Sequence, residues 1–319
     1  MGLTGKVLVT GGAGFVGSHI ADQLCQAGAR VRVIDDLSTG HRENIDEISG
    51  DVELIEASLN DPAALARALE GVEVVFHEAA IPSVPRSVAS PRETHHACVD
   101  ATFELLLAAH DAGVRRVIYA ASSSAYGDQP ILPKQEDMKP DPLSPYAVAK
   151  LVGEYYCQVF YRVYGLETVC LRYFNVFGPR QDPSSQYSGV ISRFISDLAG
   201  GGNPVIYGDG EQSRDFTFVA NVAAANLSAM ETVSGLGQVI NVANGEQTTL
   251  NDLLETLKRL LVREDAVVEW RDLRLGDVKH SLADNTRAKE MLGYQTLVGL
   301  EDGLRRTIEW WKQSRFNTT

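Results

Sequence analysis

Basic residues are few in this chain. Lysine and arginine number 29 against 42 aspartate and glutamate residues, so the formal net charge is −13 at pH 7. Because nucleic-acid phosphates attract a basic surface, this balance argues against a nucleic-acid partner. The 319 residues include four cysteines and no Cys-x-x-Cys spacing, which predicts reduced thiols in a cytoplasmic protein without a structural metal. No signal-peptide pattern and no apolar run of membrane-spanning length stands out, so we expect no membrane association.

Three glycines near the start of the chain indicate a phosphate-binding turn. The apolar run from Lys6 to Thr10 suits a buried parallel strand, and the glycines at 11, 14 and 17 follow where that strand must turn into a helix. Glycine there lets the backbone approach a pyrophosphate at the helix N-terminus, although such glycines can also serve geometry alone. The next apolar run ends in Asp35, whose carboxylate would accept adenine ribose hydroxyls and repel a 2′-phosphate. The spacing therefore predicts NAD rather than NADP.

A tyrosine and a lysine four residues apart form a candidate acid–base pair. Tyr146 and Lys150 would share one helix face, an arrangement that is often an incidental surface contact. Here, however, Ser122 ends an apolar strand-like run, at the edge where open α/β sheets bind ligands. A free phenol has a pKa near ~10 and is a poor base, but a neighbouring ammonium group would stabilise its phenolate. We therefore predict Ser122, Tyr146 and Lys150 as catalytic residues.

Apolar strand-like runs alternate with amphipathic stretches through the first half of the chain. The strand-like runs lie near 6–10, 31–35, 52–56, 72–77, 115–121 and 167–172. Amphipathic stretches such as 61–70 and 144–164 separate them, and this alternation predicts an α/β fold with a Rossmann-type, doubly wound parallel sheet. After about residue 175, loops rich in glycine, proline and asparagine interrupt short elements, and a helical pattern follows near 299–314.

These segments together resemble the extended short-chain dehydrogenase/reductase family, and within it the nucleotide-sugar 4-epimerases. The resemblance runs from about Lys6 to the final helix. The motifs that carry it are Thr-Gly-Gly-Ala-Gly-Phe-Val-Gly (10–17), Ser-Ser-Ser-Ala-Tyr-Gly-Asp (122–128), Ser-Pro-Tyr-Ala-Val-Ala-Lys (144–150), Leu-Arg-Tyr-Phe-Asn-Val-Phe-Gly-Pro (171–179) and Arg-Asp-Phe (214–216). The resemblance implies an NAD-binding Rossmann domain over 1–174 and a smaller C-terminal lobe over 175–319 that mainly binds a UDP-sugar, with segments crossing back to the first domain. It also implies tightly bound NAD and a homodimer formed through helices near 92–112 and 144–164.

The resemblance further implies two sets of contact residues and no metal ligand. The cofactor-binding set is Gly11, Gly14, Phe15, Val16, Gly17, Asp35, Ser38, Thr39, Gly40, Ser58, Leu59, Ala79, Ala80, Cys98, Tyr146, Lys150 and Tyr173. The substrate-binding set is Ser83, Ser122, Ser124, Tyr146, Asn175, Arg214, Arg274, Asp277 and Ser281. Two positions depart from the family pattern. Ser58 stands where relatives often carry an aspartate facing adenine, and Cys98 stands where they carry an asparagine near the cofactor.

The implied reaction is the 4-epimerisation of a UDP-hexose through a 4-keto intermediate. Tyr146 would take the proton of the sugar 4-hydroxyl, and Ser122 would hydrogen-bond the same oxygen. Related dehydratases and decarboxylases carry extra carboxylates just after the catalytic hydroxyl residue, where this chain has Ser123 and Ser124. Ser281 falls where a bulky aromatic closes the sugar pocket of epimerases restricted to glucose and galactose. UDP-GlcNAc and UDP-GalNAc are therefore the favoured substrates, with UDP-Glc and UDP-Gal next.

Other interpretations compete with this one. A UDP-glucuronate 4-epimerase would need a cation for the C6 carboxylate, for which Arg86 and Arg180 are candidates. From a different class, the chain could be a non-catalytic NAD-binding regulatory protein, although the three catalytic residues argue against it. The Arg-Asp pairs at 214–215 and 271–272 could be solvated surface pairs. His95 and His96 point different ways on a helix, so we expect them to be structural or exposed.

Overall fold

A parallel sheet with helices on both faces dominates the computed structural model, which describes residues 5–182, 189–272 and 278–314. The strands are β1 (Lys6–Thr10), β2 (Arg30–Asp35), β3 (Val52–Glu56), β4 (Val72–His77), β5 (Arg116–Ser122), β6 (Glu167–Tyr173), β7 (Val176–Phe177), β8 (Val205–Tyr207), β9 (Ser213–Arg214), β10 (Thr217–Phe218), β11 (Val239–Val242), β12 (Thr248–Thr249) and β13 (Glu269–Arg271). The helices are α1 (Phe15–Gln26), α2 (Glu43–Asp46), α3 (Pro62–Leu69), α4 (Val84–Ala89), α5 (Pro91–His95), α6 (Ala101–Asp111), α7 (Pro145–Val159), α8 (Val190–Ala199), α9 (Val219–Glu231), α10 (Leu250–Leu261), α11 (Thr286–Leu292) and α12 (Leu300–Gln313). Single π-helical turns at His96–Asp100 and Phe160–Tyr164 extend α6 and α7, and a 3₁₀ turn covers Ser123–Tyr126.

The strand order places the cofactor turn at the middle of the sheet. Across the described residues the order is β11-β6-β5-β4-β1-β2-β3, and all neighbouring pairs are parallel. The order reverses between β1 and β4, and at such a switch point the loops after the two strands separate and leave a crevice for a ligand. The predicted doubly wound α/β fold is therefore confirmed.

The central strands are buried on both faces because helices pack against each face of the sheet. In β1, Val7 and Val9 face one core with α1 and α9, whereas Leu8 faces the other core with α3 and α6, and all three are 0% exposed. Successive side chains of a strand point to opposite faces, so a continuous apolar run predicts this two-sided burial. Cys157 and Cys170 are free thiols that belong to the second core.

Two buried arginines on strands of the sheet cap the C-terminal ends of helices that pack against it. Arg32 Nη1 donates to the carbonyls of Arg67, Ala68 and Glu70, where α3 ends. Arg116 Nη1 likewise donates to the carbonyls of two residues in the last turn of α9, Ala229 and Met230. The last carbonyls of a helix lack intrahelical donors and carry partial negative charge. A guanidinium group donates hydrogen bonds to them, and its positive charge interacts favourably with the helix dipole.

The second half of the chain contributes to the main sheet and also forms a small lobe of its own. Strand β11 pairs with β6 from Val239 opposite Cys170 to Val242 opposite Tyr173. A separate apolar core joins α8, α10 and α12 around the phenylalanines of β7 and β10. A functional division of the chain at residue 174 stays a prediction. Strand β6 precedes this position and its partner β11 follows it, so the main sheet includes segments from both sides.

Candidate active site

The turn after β1 brings backbone segments closer together than side chains would allow. Gly11 has φ +65°, and a Cβ there would lie 2.7 Å from the backbone nitrogen of Ala79. A Cβ on Gly17 would lie 2.3 Å from the Gly11 carbonyl oxygen, well inside van der Waals contact. Gly14 precedes α1 as its N-cap and donates its N–H to Gly11 O at 3.1 Å. Close packing therefore requires glycine at this turn. The absence of side chains also leaves the backbone accessible to a ligand.

The N-terminus of α1 and the C-terminal end of β2 suit the pyrophosphate and the adenine ribose of a dinucleotide. Among the described residues no side chain caps the first turn of α1, so its N–H groups remain for an anion such as a pyrophosphate. Asp35 lies beside this turn, where its carboxylate accepts the N–H of Ala13 at 3.0 Å and that of Leu37 at 2.9 Å. Burial raises the pKa of Asp35, and the two N–H groups lower it. A Cβ on Gly40 would lie 3.0 Å from the same carboxylate, so the predicted residues Gly40 and Asp35 lie in one crevice.

The remaining predicted cofactor residues differ in exposure. Leu59, Gly40 and Cys98 are buried, and Phe15, Val16, Ser58, Ala79, Ala80 and Tyr173 are half-buried, whereas Ser38 and Thr39 are exposed. The Ser58 hydroxyl accepts the N–H of Asn60 at 3.2 Å. Ala79 donates its N–H to Thr10 Oγ1 at 3.2 Å, which fixes the loop after β4 against the end of β1. The contacts of these residues with NAD stay predictions.

The start of α7 positions Tyr146 and Lys150. Ser144 caps this helix, because its hydroxyl accepts the N–H of Ala147 at 3.2 Å, and Pro145 occupies the first helical position. Tyr146 therefore lies in the first turn, and Lys150 follows one turn later. Lys150 is 4% exposed and donates from Nζ to the carbonyl of Ala120 in β5 at 2.8 Å. The lysine is thus fixed against the strand that ends in Ser122.

Ser122 completes the predicted catalytic group at the end of β5. Its Oγ accepts hydrogen bonds from Ser124 Oγ at 2.8 Å and from Ser124 N at 3.2 Å, so its own proton remains for another acceptor. Burial raises the pKa of Tyr146 well above its usual value, and a hydrogen bond with Ser122 lowers it. Burial also lowers the pKa of Lys150. The structure brings the three residues together, and stabilisation of the phenolate by Lys150 stays a prediction.

Glu78 also lies in this site, although it is absent from the residues that the sequence predicts. It directly follows β4, and its Oε1 accepts a hydrogen bond from the Tyr173 hydroxyl at 2.8 Å. Burial raises the pKa of Glu78 to about 7, while the Tyr173 bond and the Lys150 charge act to lower it. In the sequence, Glu78 could have been recognised as a carboxylate directly after a buried parallel strand, because ligands bind at that edge of an open α/β sheet.

A cavity of about 250 Å³ lies beside the sheet edge, against the second lobe. Its walls include the predicted substrate residues Asn175 and Arg214, together with Arg193, Tyr207 and Gln212, which the sequence does not predict. Arg214 Nη1 donates to the carbonyls of Ser213 at 2.9 Å and Lys279 at 3.2 Å. The predicted residues Arg274 and Asp277 lie outside the described residues. The cavity thus combines apolar walls with guanidinium groups, a chemistry suited to an anionic nucleotide.

Asp215 fixes the loops around this cavity. It is 0% exposed, and its carboxylate accepts backbone N–H groups from Asn244 at 3.0 Å, Gly245 at 3.1 Å and Ala283 at 3.1 Å. The interpretation of Arg214-Asp215 as a solvated surface pair is therefore wrong, because buried backbone donors bind the carboxylate. Ser281 is 8% exposed and donates its N–H to Ser213 O at 3.1 Å, one residue before Arg214.

The other singled-out residues have local partners. Ser83 accepts the N–H of Arg86 at 3.1 Å as the N-cap of α4, so its substrate contact stays a prediction. His95 and His96 are exposed and lie 3.5 and 3.1 Å from Asp100, which confirms the prediction made for them.

Over the described ranges, no group of three or more His, Cys, Asp and Glu residues is arranged to hold a metal ion. No helix in that part of the chain has both the length and the apolar surface to cross a membrane.

The glycine turn, Asp35 and the Ser122–Tyr146–Lys150 group lie at one sheet edge, the arrangement of a dinucleotide-dependent enzyme. A family model described as the NAD dependent epimerase/dehydratase family matches residues 7–243. The chain belongs to this family, and NAD is its cofactor, as the sequence predicts.

Three solved structures show how the similarity extends over the chain. A UDP-N-acetylglucosamine 4-epimerase from Methanobrevibacter ruminantium M1, in complex with UDP-N-acetylmuramic acid, is 42% identical, with 97% of this chain and 98% of that one covered and a TM-score of 0.92. A UDP-glucose 4-epimerase from Thermotoga maritima with UDP-glucose is 39% identical, with coverages of 97% and 99% and a TM-score of 0.92. A mutant UDP-glucuronic acid 4-epimerase from Bacillus cereus, in complex with NAD and a fluorinated UDP-glucuronic acid, is 32% identical, with coverages of 97% and 99% and a TM-score of 0.90.

Proposed function

We propose that the protein interconverts the C4 epimers of a UDP-hexose, with UDP-GlcNAc and UDP-GalNAc as preferred substrates and UDP-Glc and UDP-Gal as further ones. The observation that carries the proposal is the Ser122–Tyr146–Lys150 group at the same sheet edge as the glycine turn. The three similar structures are all named as 4-epimerases of UDP-sugars, which supports the same reaction here. A non-catalytic regulator would need none of the three side chains.

The proton chemistry follows from the hydrogen bonds of the site. Because Ser122 Oγ accepts from Ser124, its proton is available for the substrate 4-oxygen. Tyr146 removes the proton of the 4-hydroxyl and returns it after the sugar has presented its other face. Lys150, which donates to the carbonyl of Ala120, is the proposed source of positive charge for the phenolate. The glycine turn and Asp35 would hold NAD, which would supply the reversible hydride transfer at C4.

The side chains after Ser122 favour epimerisation over elimination or decarboxylation. Those two reactions need a further group that transfers a proton, yet the next two residues are serines, and Ser124 is hydrogen-bonded to Ser122. The carboxylate of the site, Glu78, is held by Tyr173 on β6 rather than by this serine turn. Epimerisation requires one proton donor and acceptor at O4, and Tyr146 serves as both.

The cavity beside Asn175 and Arg214 is the proposed nucleotide site. A uridine diphosphate is a planar base followed by two negative charges, and guanidinium groups bind phosphates in a bidentate manner. Arg193 and Arg214 line the cavity together with the apolar side chains Phe194 and Phe216. Arg274 and Asp277 stay proposed contacts of the pyrophosphate and the uridine ribose. Ser281 lies beside Arg214, because its N–H donates to the carbonyl of Ser213.

A glucuronate substrate has less support from the described side chains. Arg180 donates to Ser18 O at 3.3 Å and lies 3.6 Å from Asp22 and 3.5 Å from Glu47, so two carboxylates already balance its charge. Arg86 is hydrogen-bonded to Glu93. Both guanidinium groups therefore already have carboxylate partners in the structure. We also propose a cytoplasmic location, since the four cysteines are free thiols. A homodimer formed through the helices near 92–112 and 144–164 is a separate proposal, which rests on the family resemblance.

The experiment that tests the proposal is NMR of the purified protein with UDP-GlcNAc, UDP-Glc or UDP-glucuronate, with and without added NAD. We expect 4-epimer formation to be fastest with UDP-GlcNAc. The Ser281→Tyr variant should lose most of the UDP-GlcNAc activity and keep UDP-Glc activity, because the larger side chain would exclude the 2-acetamido group. Ser234→Tyr, an exposed position, is the control. Turnover of UDP-glucuronate alone would replace the proposed substrate, and no turnover with any sugar would favour a regulatory protein.

A further inference from the structure

Asn241 is a buried amide side chain on β11, the edge strand of the main sheet, and it is 0% exposed. Its Nδ2 donates to the carbonyl of Lys134 at 3.0 Å and to the carbonyl of Asp284 at 3.3 Å. Its Oδ1 accepts a hydrogen bond from the Tyr126 hydroxyl at 2.7 Å. One side chain thus joins β11 to three residues that lie 43 or more positions away in the sequence.

The orientation of this amide follows from the chemistry of its partners. The carbonyls of Lys134 and Asp284 can only accept hydrogen bonds, so the amide nitrogen must face them. The amide oxygen must then face Tyr126, whose hydroxyl donates to it. Rotation of the amide would bring its oxygen against the two carbonyl oxygens. Because a buried polar atom without a partner is costly, the three bonds support one another.

Tyr126 connects this amide to the proposed catalytic serine. Ser122 caps a 3₁₀ turn that ends at Tyr126, and residues 122–126 form the serine turn. Within it Ser124 donates to Ser122 Oγ, so the position of the turn sets that of the reacting hydroxyl. Tyr126 is 1% exposed, and its ring centroid lies 6.0 Å from that of Phe174, which follows β6. The ring and the hydroxyl together fix the far end of the serine turn.

The other two bonds of Asn241 reach the segment 281–284 and the residue that pairs with it. Lys134 forms a parallel bridge with this segment: its N–H donates to Leu282 O at 2.7 Å, and its carbonyl accepts the N–H of Asp284 at 2.9 Å. Asn241 donates to carbonyls on both sides of that bridge. The segment 281–284 is therefore attached directly to β11.

Apolar packing and the nucleotide side of the site support the same arrangement. The serine turn, the ends of β6 and β11 and the segment 281–284 share a small buried cluster, made of Tyr126, Phe174, Ala243 and Ala283. Ser281 begins the segment, and its N–H donates to Ser213 O, one residue before Arg214. The segment thus lies between the serine turn, where the sugar would react, and the cavity proposed for the nucleotide.

We propose that Asn241 is a positioning residue that sets the segment 281–284 relative to the serine turn, with Tyr126 as its contact on the catalytic side. The sugar of a UDP-hexose would lie between Ser281 and Ser122, so this junction decides whether the 4-oxygen reaches the reacting hydroxyls. The kinetic consequence rests on the proposed function. The coupling between the two segments concerns the protein alone and is measurable without turnover.

Loss of the junction should lower kcat more than it raises KM. Strand β9, which carries Arg214, is held independently, because it pairs with β12. The next residue, Asp215, accepts backbone N–H groups from Asn244 and Gly245. The uridine diphosphate would therefore stay bound while the sugar is misplaced, and a misplacement of about 1 Å can cost roughly 10²-fold in rate.

The first test is the Tyr126→Phe variant, which removes the hydroxyl and keeps the buried ring. We expect kcat with the preferred UDP-sugar to fall about tenfold and KM to change by less than about threefold, as for a small misplacement of the reacting atoms. NMR rates over a range of substrate concentrations separate the two constants. A kcat equal to that of the original protein would overturn the proposal.

Tyr294→Phe is the matched control. Tyr294 is also buried, and its hydroxyl donates to the carbonyl of Ala243 at 2.9 Å, two residues after Asn241. That carbonyl keeps a second donor, Asn285 Nδ2 at 2.9 Å, so the bonds of Asn241 are not affected. Its kcat should remain close to that of the original protein. Equal losses of kcat in Tyr294→Phe and Tyr126→Phe would count against a specific role of the junction.

A double-mutant cycle tests whether the Tyr126 hydroxyl acts through Asn241. Asn241→Ala removes all three bonds of the amide, so the addition of Tyr126→Phe should cause little further loss of kcat. Residues of one hydrogen-bond network show such non-additive effects, whereas the effects of independent residues add as free energies. Losses that multiply in the double variant would overturn the proposal.

Hydrogen–deuterium exchange measures the coupling without a substrate. Asn241 supports the bridge formed by the backbone N–H groups of Lys134 and Asp284, so both should exchange faster in Tyr126→Phe and in Asn241→Ala. Exchange in α12, which packs in the separate core of the small lobe, should be unchanged and serves as the internal reference. Mass spectrometry of the corresponding peptides, at saturating NAD, gives both rates.

The two measurements separate this proposal from the proposed reaction. If the original protein epimerised no UDP-sugar but Tyr126→Phe accelerated exchange at the bridge, the reaction would fail and the junction would stand. Unchanged exchange at the bridge in both variants would overturn the junction. If Asn241→Ala did not fold, Tyr126→Phe would decide the question alone, because it keeps the buried ring.

Discussion

Burial raises the pKa of the Tyr146 phenol, and Tyr146 acts as the proposed base in its phenolate form, which a neighbouring positive charge stabilises. Replacement by phenylalanine removes the hydroxyl and keeps the ring in the first turn of α7. We expect UDP-sugar turnover by Tyr146→Phe to fall by roughly 10²–10⁴-fold, the usual contribution of acid–base catalysis by one side chain. NAD should remain bound, because the glycine turn and Asp35 are unchanged. Rates from NMR and the NAD content of the purified protein check both statements.

Tyr156→Phe is the matched control for this variant. Tyr156 lies on the same helix and packs against Phe103 with ring centroids 5.2 Å apart. Its hydroxyl has no proposed role in proton transfer, so turnover should be within a few fold of the original. Equal losses in both variants would mean that α7 is disturbed in general, and full activity in Tyr146→Phe would exclude the proposed mechanism.

Glu154 and Arg172 form a buried ion pair that supports the same helix. Their side chains are 1% and 3% exposed, and two hydrogen bonds of 2.8 and 2.7 Å join α7 to β6. Burial acts to lower the pKa of Arg172, but its bond with Glu154 raises it above the usual value. Glu154→Gln leaves a buried guanidinium without its counter-charge, which should cost roughly 3–5 kcal/mol of unfolding free energy. Urea unfolding at pH 7 measures the loss.

An exposed ion pair provides the comparison. Arg306 and Asp302 lie 2.7 Å apart on α12 with side chains 53% and 54% exposed. Because water screens such a pair, Asp302→Asn should change the unfolding free energy by about 0.5 kcal/mol or less. Similar losses in the two variants would contradict the assignment of Glu154–Arg172 as a buried structural pair.

Individual residues divide clearly into those that the sequence predicts and those that it does not. Ser122, Tyr146 and Lys150 were predictable because each lies in a motif with fixed spacing. Glu78 and Asp215 were not, because their partners are distant in the chain: Tyr173 is 95 positions from Glu78, and Ala283 is 68 positions from Asp215. Burial and hydrogen bonding of a lone carboxylate depend on the fold and leave no local pattern.

The junction of β1 and α1 depends on the absence of a side chain at Gly17. An alanine inside a helix is favoured over glycine by about 1 kcal/mol, so helix propensity alone would make Gly17→Ala stabilising. The close approach of its Cβ to Gly11 O, at 2.3 Å, outweighs this gain because backbone atoms cannot move aside cheaply. We expect a lower unfolding free energy and at least tenfold weaker NAD binding, measured by urea unfolding and by calorimetry.

Gly299→Ala is the control for this prediction. Gly299 precedes α12, and a Cβ there would have no heavy atom within 4 Å among the described residues. We expect a loss of about 0.5–1 kcal/mol from the poorer N-cap and unchanged NAD affinity. Unchanged NAD affinity in Gly17→Ala would show that the turn tolerates a side chain.

Secondary structure was predictable where a run of apolar residues stands alone. The runs at 52–56 and 72–77 coincide with β3 and β4, and the run at 115–121 differs from β5 by one residue at each end. Strand β11 was not recognised, since a four-residue strand becomes distinctive only when β6 is placed beside it. The π-helical turns in the helices near 92–112 and 144–164 were not predicted, because a single inserted residue in a long apolar helix leaves no composition signal of its own.

For the whole molecule, an apolar stripe on α7 supports the proposed homodimer. Val148, Tyr155 and Val159 recur at helical spacing and are 46%, 52% and 47% exposed, and Leu107 of α6 is 39% exposed. Val159→Glu would place a charge in such an interface, so we expect it to shift the protein from dimer to monomer. Light scattering after size-exclusion chromatography measures the mass.

Val233→Glu introduces the same charge at a different exposed valine, which is 81% exposed and follows α9. Its mass should equal that of the original protein. A monomeric original protein would refute the dimer, and a dimeric Val159→Glu would place the interface elsewhere. Within the same two segments, 92–112 and 144–164, Leu106 and Phe160 face the core at 0% and 3% exposure, because these helices also cover the sheet.

The pairing of β11 with β6 has a consequence for how the chain is made. During synthesis β6 leaves the ribosome with its outer edge unpaired, and its partner follows about 70 residues later. At roughly 5–20 residues per second, that edge stays open for about 4 to 14 seconds. An unpaired strand edge is a template for intermolecular pairing, so this interval is the period when nascent chains are most prone to aggregate. Slow translation between the two strands should therefore lower the yield of soluble protein, and a chaperone that covers nascent strands should restore it.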